Sequence, residues 1–187
     1  MKRLALAMLV LFVALPAAAF KTTVRRGDRV GVLRPAEGYG HGVASVVTRS
    51  LERELRERGV DATDTRLTFD QLRDDDRGQA DFYIEVVRGD GDAHALGGVG
   101  VGDSSLGVDL SIVVAHVAAR VNLYDGRTFE LIDAYDFQRR ASAVMPTGIG
   151  VGRRSVGLWV ALPFVQMARY RAAARAVAAE AADAIVP

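Results

Sequence analysis

The chain has 187 residues, half of them apolar, with no cysteine and a formal net charge of +1. That balance argues against a nucleic-acid-binding protein, because neutralising phosphates requires an excess of Lys and Arg on one face. The absence of cysteine excludes disulfides and thiol chemistry, so stability has to come from packing and hydrogen bonds.

The first segment is Met1-Lys2-Arg3, the apolar run Leu4 to Leu15, and Pro16-Ala17-Ala18-Ala19. A charged start, a short apolar stretch and a small-residue end predict a cleavable secretory signal over residues 1–19, with a mature chain beginning near Phe20. The apolar run is too short for a membrane-crossing helix, which needs about 20 residues. Losing Lys2 and Arg3 moves the formal charge from +1 to −1. The remainder, 20–187, reads as one exported α/β domain in the periplasm. With no cysteine to carry an acyl chain, any association with the outer membrane needs another basis.

Asp28 to Leu33 alternates Val30 and Val32 and stops at Arg34-Pro35, which suits a first strand. After a polar glycine loop, Val43, Val46, Val47, Leu51 and Leu55 recur at helical steps up to Arg58, and Gly59 stands where a helix C-terminus favours it. Val60 to Leu67 reads as a second strand. Thr68-Phe69-Asp70-Gln71 then fits a capping box opening a short helix to Asp76. Three β segments follow, Ala80 to Val87, Val108 to Tyr124 and Phe129 to Ala143, the last two joined by the Asp125-Gly126 turn signal. Pro163 opens an alanine-rich helix, Phe164 to Val186, whose predicted apolar stripe is Phe164, Met167, Ala174, Val177, Ala178, Ala181 and Ile185. The order β-α-β-α-β-β-β-α is that of an α/β fold with a mixed sheet packed by helices.

Two glycine-rich segments stand outside that frame, Leu96 to Gly107 and Val144 to Leu162, and both read as hairpin-like excursions. Neither has phosphate-loop spacing: Ser105 and Arg153 occupy the positions where a dinucleotide fingerprint needs its third glycine, and no Gly-Lys-Ser/Thr follows. Gly102-Asp103-Ser104-Ser105-Leu106 is weakly similar to a serine hydrolase signature, yet no Asp-x-x-His follows to supply a base. His41, His94 and His116 are widely separated and lack ligand spacing. Asp74-Asp75-Asp76 reads as a solvated segment, and Asp133 with Asp136 as a strand's solvent face. No catalytic, metal or cofactor site is expected.

The signal, the strand RVGVLRP, the helix ending Leu-Arg-Glu-Arg-Gly-Val, Ala80 to Glu85, the segment Ala118 to Thr128 and the final alanine helix together resemble the curli secretion channel subunit family. The relatives of that family include the lipoprotein activators of penicillin-binding proteins and the N-terminal domain of the Tol-system propeller protein. The resemblance implies a non-enzymatic envelope protein working through protein contacts at the inner face of the outer membrane. In the channel members two hairpins leave the core where this chain has Leu96 to Ala115 and Val144 to Leu162, and they assemble as a homo-oligomer into a membrane barrel. Each segment here is long enough for two strands of about nine to eleven residues. The leading expectation is a binding or scaffold module whose partners are envelope proteins, and the alternative is an outer-membrane pore subunit. The residues expected to make contacts are Gly97, Gly98, Gly100, Gly102 and Leu106 in the first excursion. In the second they are Ile149, Val151, Arg153, Arg154, Leu158 and Trp159.

Overall fold

The computed structural model describes residues 23–36, 41–102, 106–151, 154–157 and 161–187. The expected signal lies outside them, as do Ser104, Arg153, Leu158 and Trp159. The chain forms β1 (Arg29–Val32), α1 (His41–Glu57), β2 (Asp61–Asp64), two 3-10 turns (Phe69–Gln71 and Asp74–Asp76), β3 (Phe82–Gly102), β4 (Leu106–Asp125), β5 (Leu131–Val151), β6 (Arg154–Gly157) and α2 (Leu162–Ile185). The strands make one six-stranded sheet in the order β2-β1-β3-β4-β5-β6. β1 runs parallel to β2 and β3, and every later pairing is antiparallel. This is the expected mixed α/β fold, with both helices packed on one face of the sheet.

The core forms where the predicted periodicities meet. Val43, Val47, Leu51 and Leu55 of α1 are buried against Val30, Val32, Ile84, Val121 and Leu123 of the sheet. Each such side chain contributes about 1.5–3 kcal/mol when fully buried. Gly59 ends α1 in the left-handed region (φ +82°). α2 adds Ala174, Val177, Ala178, Ala181 and Ile185, and Arg58 ties the two helices together with a 2.6 Å bond to Asp183 and a 3.0 Å bond to Glu54.

Two expectations about the helices are corrected. Phe164 and Met167 do not share the buried stripe of α2: they are 75% and 51% exposed. A helix turns by 100° per residue, so the sheet-facing set drifts around its axis, and at the first turns it is Val165, Gln166, Arg169 and Tyr170 that are half-buried. The short helix after Thr68 is instead two 3-10 turns. Its capping interaction exists, with Thr68 N–H donating to Gln71 Oε1 at 3.1 Å, but Leu72 turns extended (ψ 138°) and stops propagation.

The larger difference concerns the excursions. Leu96 to Gly102 is the continuation of β3, and Val144 to Val151 that of β5, so both belong to the sheet. Glycine weakens intrinsic strand preference, and cross-strand pairing overrides it here. The β4–β5 turn forms as the Asp-Gly signal predicts. Asp125 Oδ1 accepts from the N–H of Arg127 at 2.8 Å and of Thr128 at 2.9 Å. A Cβ at Gly126 would stand 2.0 Å from the Ala80 carbonyl oxygen, so close approach requires this glycine, and the positive φ falls on Phe129 (62°).

Candidate functional site: a long antiparallel ribbon

β3, β4 and β5, of 21, 20 and 21 residues, are far longer than the ~5–6 residues of an ordinary strand. Their root halves supply the core cluster shared with both helices, and Ser111, Val113, Val114, Ala115 and Met145 further along are buried as well. The tip halves pair with each other, Val101 with Val108 and Val108 with Ile149, and β6 adds a fourth strand through Ile149 and Val156. The two glycine-rich segments are therefore neighbours within one ribbon. Gly100, Gly102 and Leu106 occupy the β3–β4 hairpin and Ile149, Val151 and Arg154 the β5–β6 hairpin; Gly97 and Gly98 fall at a register shift between Leu96 and Val99. This adjacency comes from register and not from spacing along the chain.

The ribbon has two chemically different faces. On the face toward the helices, Ala93, Ala95, Ser111, Val113, Ala115, Ala141, Ala143 and Met145 are buried or half-buried. On the opposite face, cross-strand rows follow one another from root to tip: Arg88–Arg120–Asp136, Asp90–Ala118–Gln138, Asp92–His116–Arg140, His94–Val114–Ser142 and Leu96–Ile112–Val144. Charge thus gives way to apolar side chains along the strands. Leu96, Ile112 and Val144 are 42%, 44% and 64% exposed. At the charged rows lies a shallow depression of about 330 Å³ lined by Arg88, Asp90, Arg120, Asp136 and Gln138.

Near the root the same face is closed by the segment carrying the 3-10 turns. Phe69 stacks on Tyr124 with ring centroids 4.2 Å apart. Beneath it Tyr124 Oη donates to Glu85 Oε2 at 3.3 Å and accepts from Asn122 Nδ2 at 2.9 Å. Burial of Glu85 raises its pKa above the ordinary carboxylate value, against the opposing bond from Tyr124, and burial likewise raises that of Tyr124. Asn122 Oδ1 is buried and meets no hydrogen-bond partner among the described residues. Asp92 Oδ2 meets His94 Nδ1 at 3.1 Å, while His116 turns to Gln138 on the next strand. Among the described residues no three His, Asp or Glu side chains converge as metal ligands.

The ribbon also has long open edges. β1 pairs with β3 only at Phe82 to Ile84, and β6 pairs with β5 only at Gly148 to Val151. Among the described residues no strand borders β3 from Val86 to Gly102, or the outer side of β5 from Phe137 to Thr147. No described helix is long and apolar enough to cross a membrane.

No protein-family model matches the chain, and no curated protein matches it. Solved structures with a similar course include a minor lipoprotein from Acinetobacter baumannii at 12% identity and TM-score 0.43, covering 84% of this chain and 91% of that one. The PelC dodecamer from Paraburkholderia phytofirmans aligns at 13% identity and TM-score 0.40, covering 85% and 87%. A neuraminyllactose-binding hemagglutinin homolog from Helicobacter pylori aligns at 9% identity and TM-score 0.42, covering 81% and 86%. At these scores the likeness fixes neither a family nor a function.

Proposed function

We propose that the protein is an exported, non-enzymatic binding or scaffold module of the cell envelope, and that the β3–β6 ribbon is its working part. The observation that carries this is the pair of edges, on β3 and on β5, that no strand borders among the described residues. An exposed edge presents a row of backbone donors and acceptors that a partner strand can complete. The glycine-rich hairpins extend the same sheet, so Gly97, Gly98, Gly100, Gly102, Leu106, Ile149, Val151 and Arg154 belong to the proposed contact region; Arg153, Leu158 and Trp159, expected there from the sequence, lie outside the described residues. A photo-crosslinking amino acid at Gln138 or Ser142, in cells, tests the reading. It predicts a discrete adduct with an envelope protein that is lost when the label is moved to Arg175. No adduct at either edge position would refute it.

A second reading, an oligomeric outer-membrane pore subunit, is supported by alternation along β4. Val108, Leu110 and Ile112 lie on one face, with Gly107, Asp109 and Ser111 on the other, the pattern of a strand between lipid and an aqueous lumen. Leu106 to Val114 spans nine residues, the lower limit of about nine for a tilted membrane strand. Cofractionation with outer membrane after a carbonate wash is expected of a pore, and release into the wash rules the pore out.

A further inference from the structure

The neighbouring parallel strands β1 and β2 send the chain to opposite faces of the sheet. After β1 it enters α1 on the helix face, and after β2 it enters the 3-10 segment that packs against Tyr83 and Tyr124 on the other. Where adjacent parallel strands part in this way a crevice is left outside their carboxyl ends, and that is where open α/β sheets hold ligands. Here it is a cavity of about 560 Å³ between the ends of β1 and β2, one polar side of α1 and the first 3-10 turn. Small-molecule sites occupy about 300–1,000 Å³.

The lining is basic. Arg34 follows β1 and Arg66 follows β2, and Arg49 joins them from α1, where it shares one side of the helix with Ser45, Thr48 and Glu52. The acids of the crevice do not neutralise these cations. Glu52 is engaged by Arg56, one turn further along α1. Asp64 Oδ1 accepts the backbone N–H of Arg66 at 2.8 Å and stands 4.0 Å from Arg34 Nε, the outer limit of an ion pair. Among the described residues no carboxylate pairs with the side chain of Arg49 or Arg66. Arg66 is also held in the left-handed region (φ 61°), a backbone that a long side chain seldom adopts. Guanidinium groups arranged around one cavity match the oxygens of a phosphate or a carboxylate.

The rest of the lining suits hydroxyl groups. Thr48 Oγ1 donates to the Ala44 carbonyl at 2.8 Å and keeps its lone pairs for a ligand. Gln71 Oε1 accepts from the Thr68 N–H, which leaves the amide nitrogen as a donor. Apolar lining is confined to Val32 and Pro35, and no described aromatic ring borders the cavity, so nothing there stacks on a nucleobase or shelters an acyl chain.

We infer that this crevice binds a small anionic carbohydrate, a sugar phosphate or a sugar acid, with Arg34, Arg49 and Arg66 around the charged oxygens and Ser45, Thr48 and Gln71 at the hydroxyls. The site uses no residue of β3 to β6, so it stands or falls apart from the edge pairing.

Isothermal titration calorimetry of the exported, purified protein tests this with glucose-6-phosphate and glucuronate as the two anionic arms, and with inorganic phosphate and glucose as references. At least one arm is expected to bind about tenfold or more tighter than inorganic phosphate, and glucose gives no heat. The tighter arm identifies the anion as phosphate or carboxylate. Arg49→Gln and Arg66→Gly each weaken that arm about tenfold. Glycine takes the left-handed backbone readily, so Arg66→Gly loses the ligand while keeping a cooperative melt. Thr48→Val weakens the sugar anion and leaves inorganic phosphate unchanged. Arg140→Gln, on β5, changes neither. In the wild type, the Nε–H resonances of Arg49 and Arg66 shift as the ligand is added and that of Arg140 does not. No heat with either arm overturns the inference, as does full affinity in both Arg49→Gln and Arg66→Gly, or equal loss with Arg140→Gln. So does inorganic phosphate binding as tightly as both arms, which would make the crevice a site for an adventitious ion only.

Discussion

Gly89→Ala is expected to destabilise the protein because of where α1 meets the ribbon. A Cβ at Gly89 would stand 2.5 Å from the backbone nitrogen of Ala44 and 2.8 Å from its Cα, where ordinary carbon contacts are about 3.5–4.0 Å. The obstructing atoms are helix backbone, so relief requires moving the end of α1 by about 1 Å. Overpacking of this kind costs about 1–3 kcal/mol, and the upper half of that range applies when no side chain can yield. Loss of glycine freedom in the unfolded chain returns about 0.4–1 kcal/mol. The net is a loss of about 1–2.6 kcal/mol, or roughly 2–10 °C in Tm at this size. Gly148→Ala is the control, because its Cβ would meet the carboxylate end of Asp109 at 2.6 Å, a flexible side chain that can rotate away. Thermal unfolding followed by circular dichroism reads both. If Gly89→Ala melts at or above the wild-type temperature, or falls no further than Gly148→Ala, the close seating of α1 on β3 is wrong.

Two further predictions concern pH. Because burial raises the Glu85 pKa, the folded state holds this proton more tightly than the unfolded chain, and stability falls as pH rises above the ordinary value of 4.5. Glu85→Gln removes that penalty and keeps an acceptor for Tyr124, so it is expected to stabilise by about 1 kcal/mol at pH 7, a gain that closes below pH 4.5 in urea titrations. Asp81 behaves oppositely. The Arg29 N–H and then its guanidinium hold the Asp81 pKa below 3.8, so its contribution is present above 3.8 and lost as pH falls through the lowered value. Asp81→Asn is expected to lower Tm at pH 7, with the difference vanishing in strong acid; a difference that persists there would contradict the pairing.

The elements legible in the sequence are those whose burial is one-sided. Val43, Val47, Leu51 and Leu55 repeat with the helix period because one face of α1 is buried, and Gly59 marks its end. The lengths of β3 and β5 were not legible. Gly97, Gly98, Gly148 and Gly150 carry no side-chain pattern, and what holds them in strands is backbone pairing with neighbours far away in sequence. Leu96, Ile112 and Val144 look like isolated hydrophobics until the register brings them into one row. Phe164 and Met167 fall off the buried stripe because the sheet-facing set drifts around α2, so that Val165, Gln166, Arg169 and Tyr170 are half-buried at the first turns instead. The hydrogen bond between Glu85 and Tyr124, 39 residues apart, depends on a pairing that no local motif reports.

Everything proposed for the ribbon depends on the two glycine-rich segments lying side by side in the stated register, and paired cysteines read this directly. Ile112 and Val144 are opposite one another, and opposed strand residues have Cα atoms about 4.5–5.5 Å apart, within disulfide range. With no native cysteine to compete, Ile112→Cys/Val144→Cys is expected to oxidise quickly to an intramolecular bridge, while Ile112→Cys/Ala143→Cys, on opposite faces, stays reduced. Bridging in the second pair and not the first would contradict the ribbon.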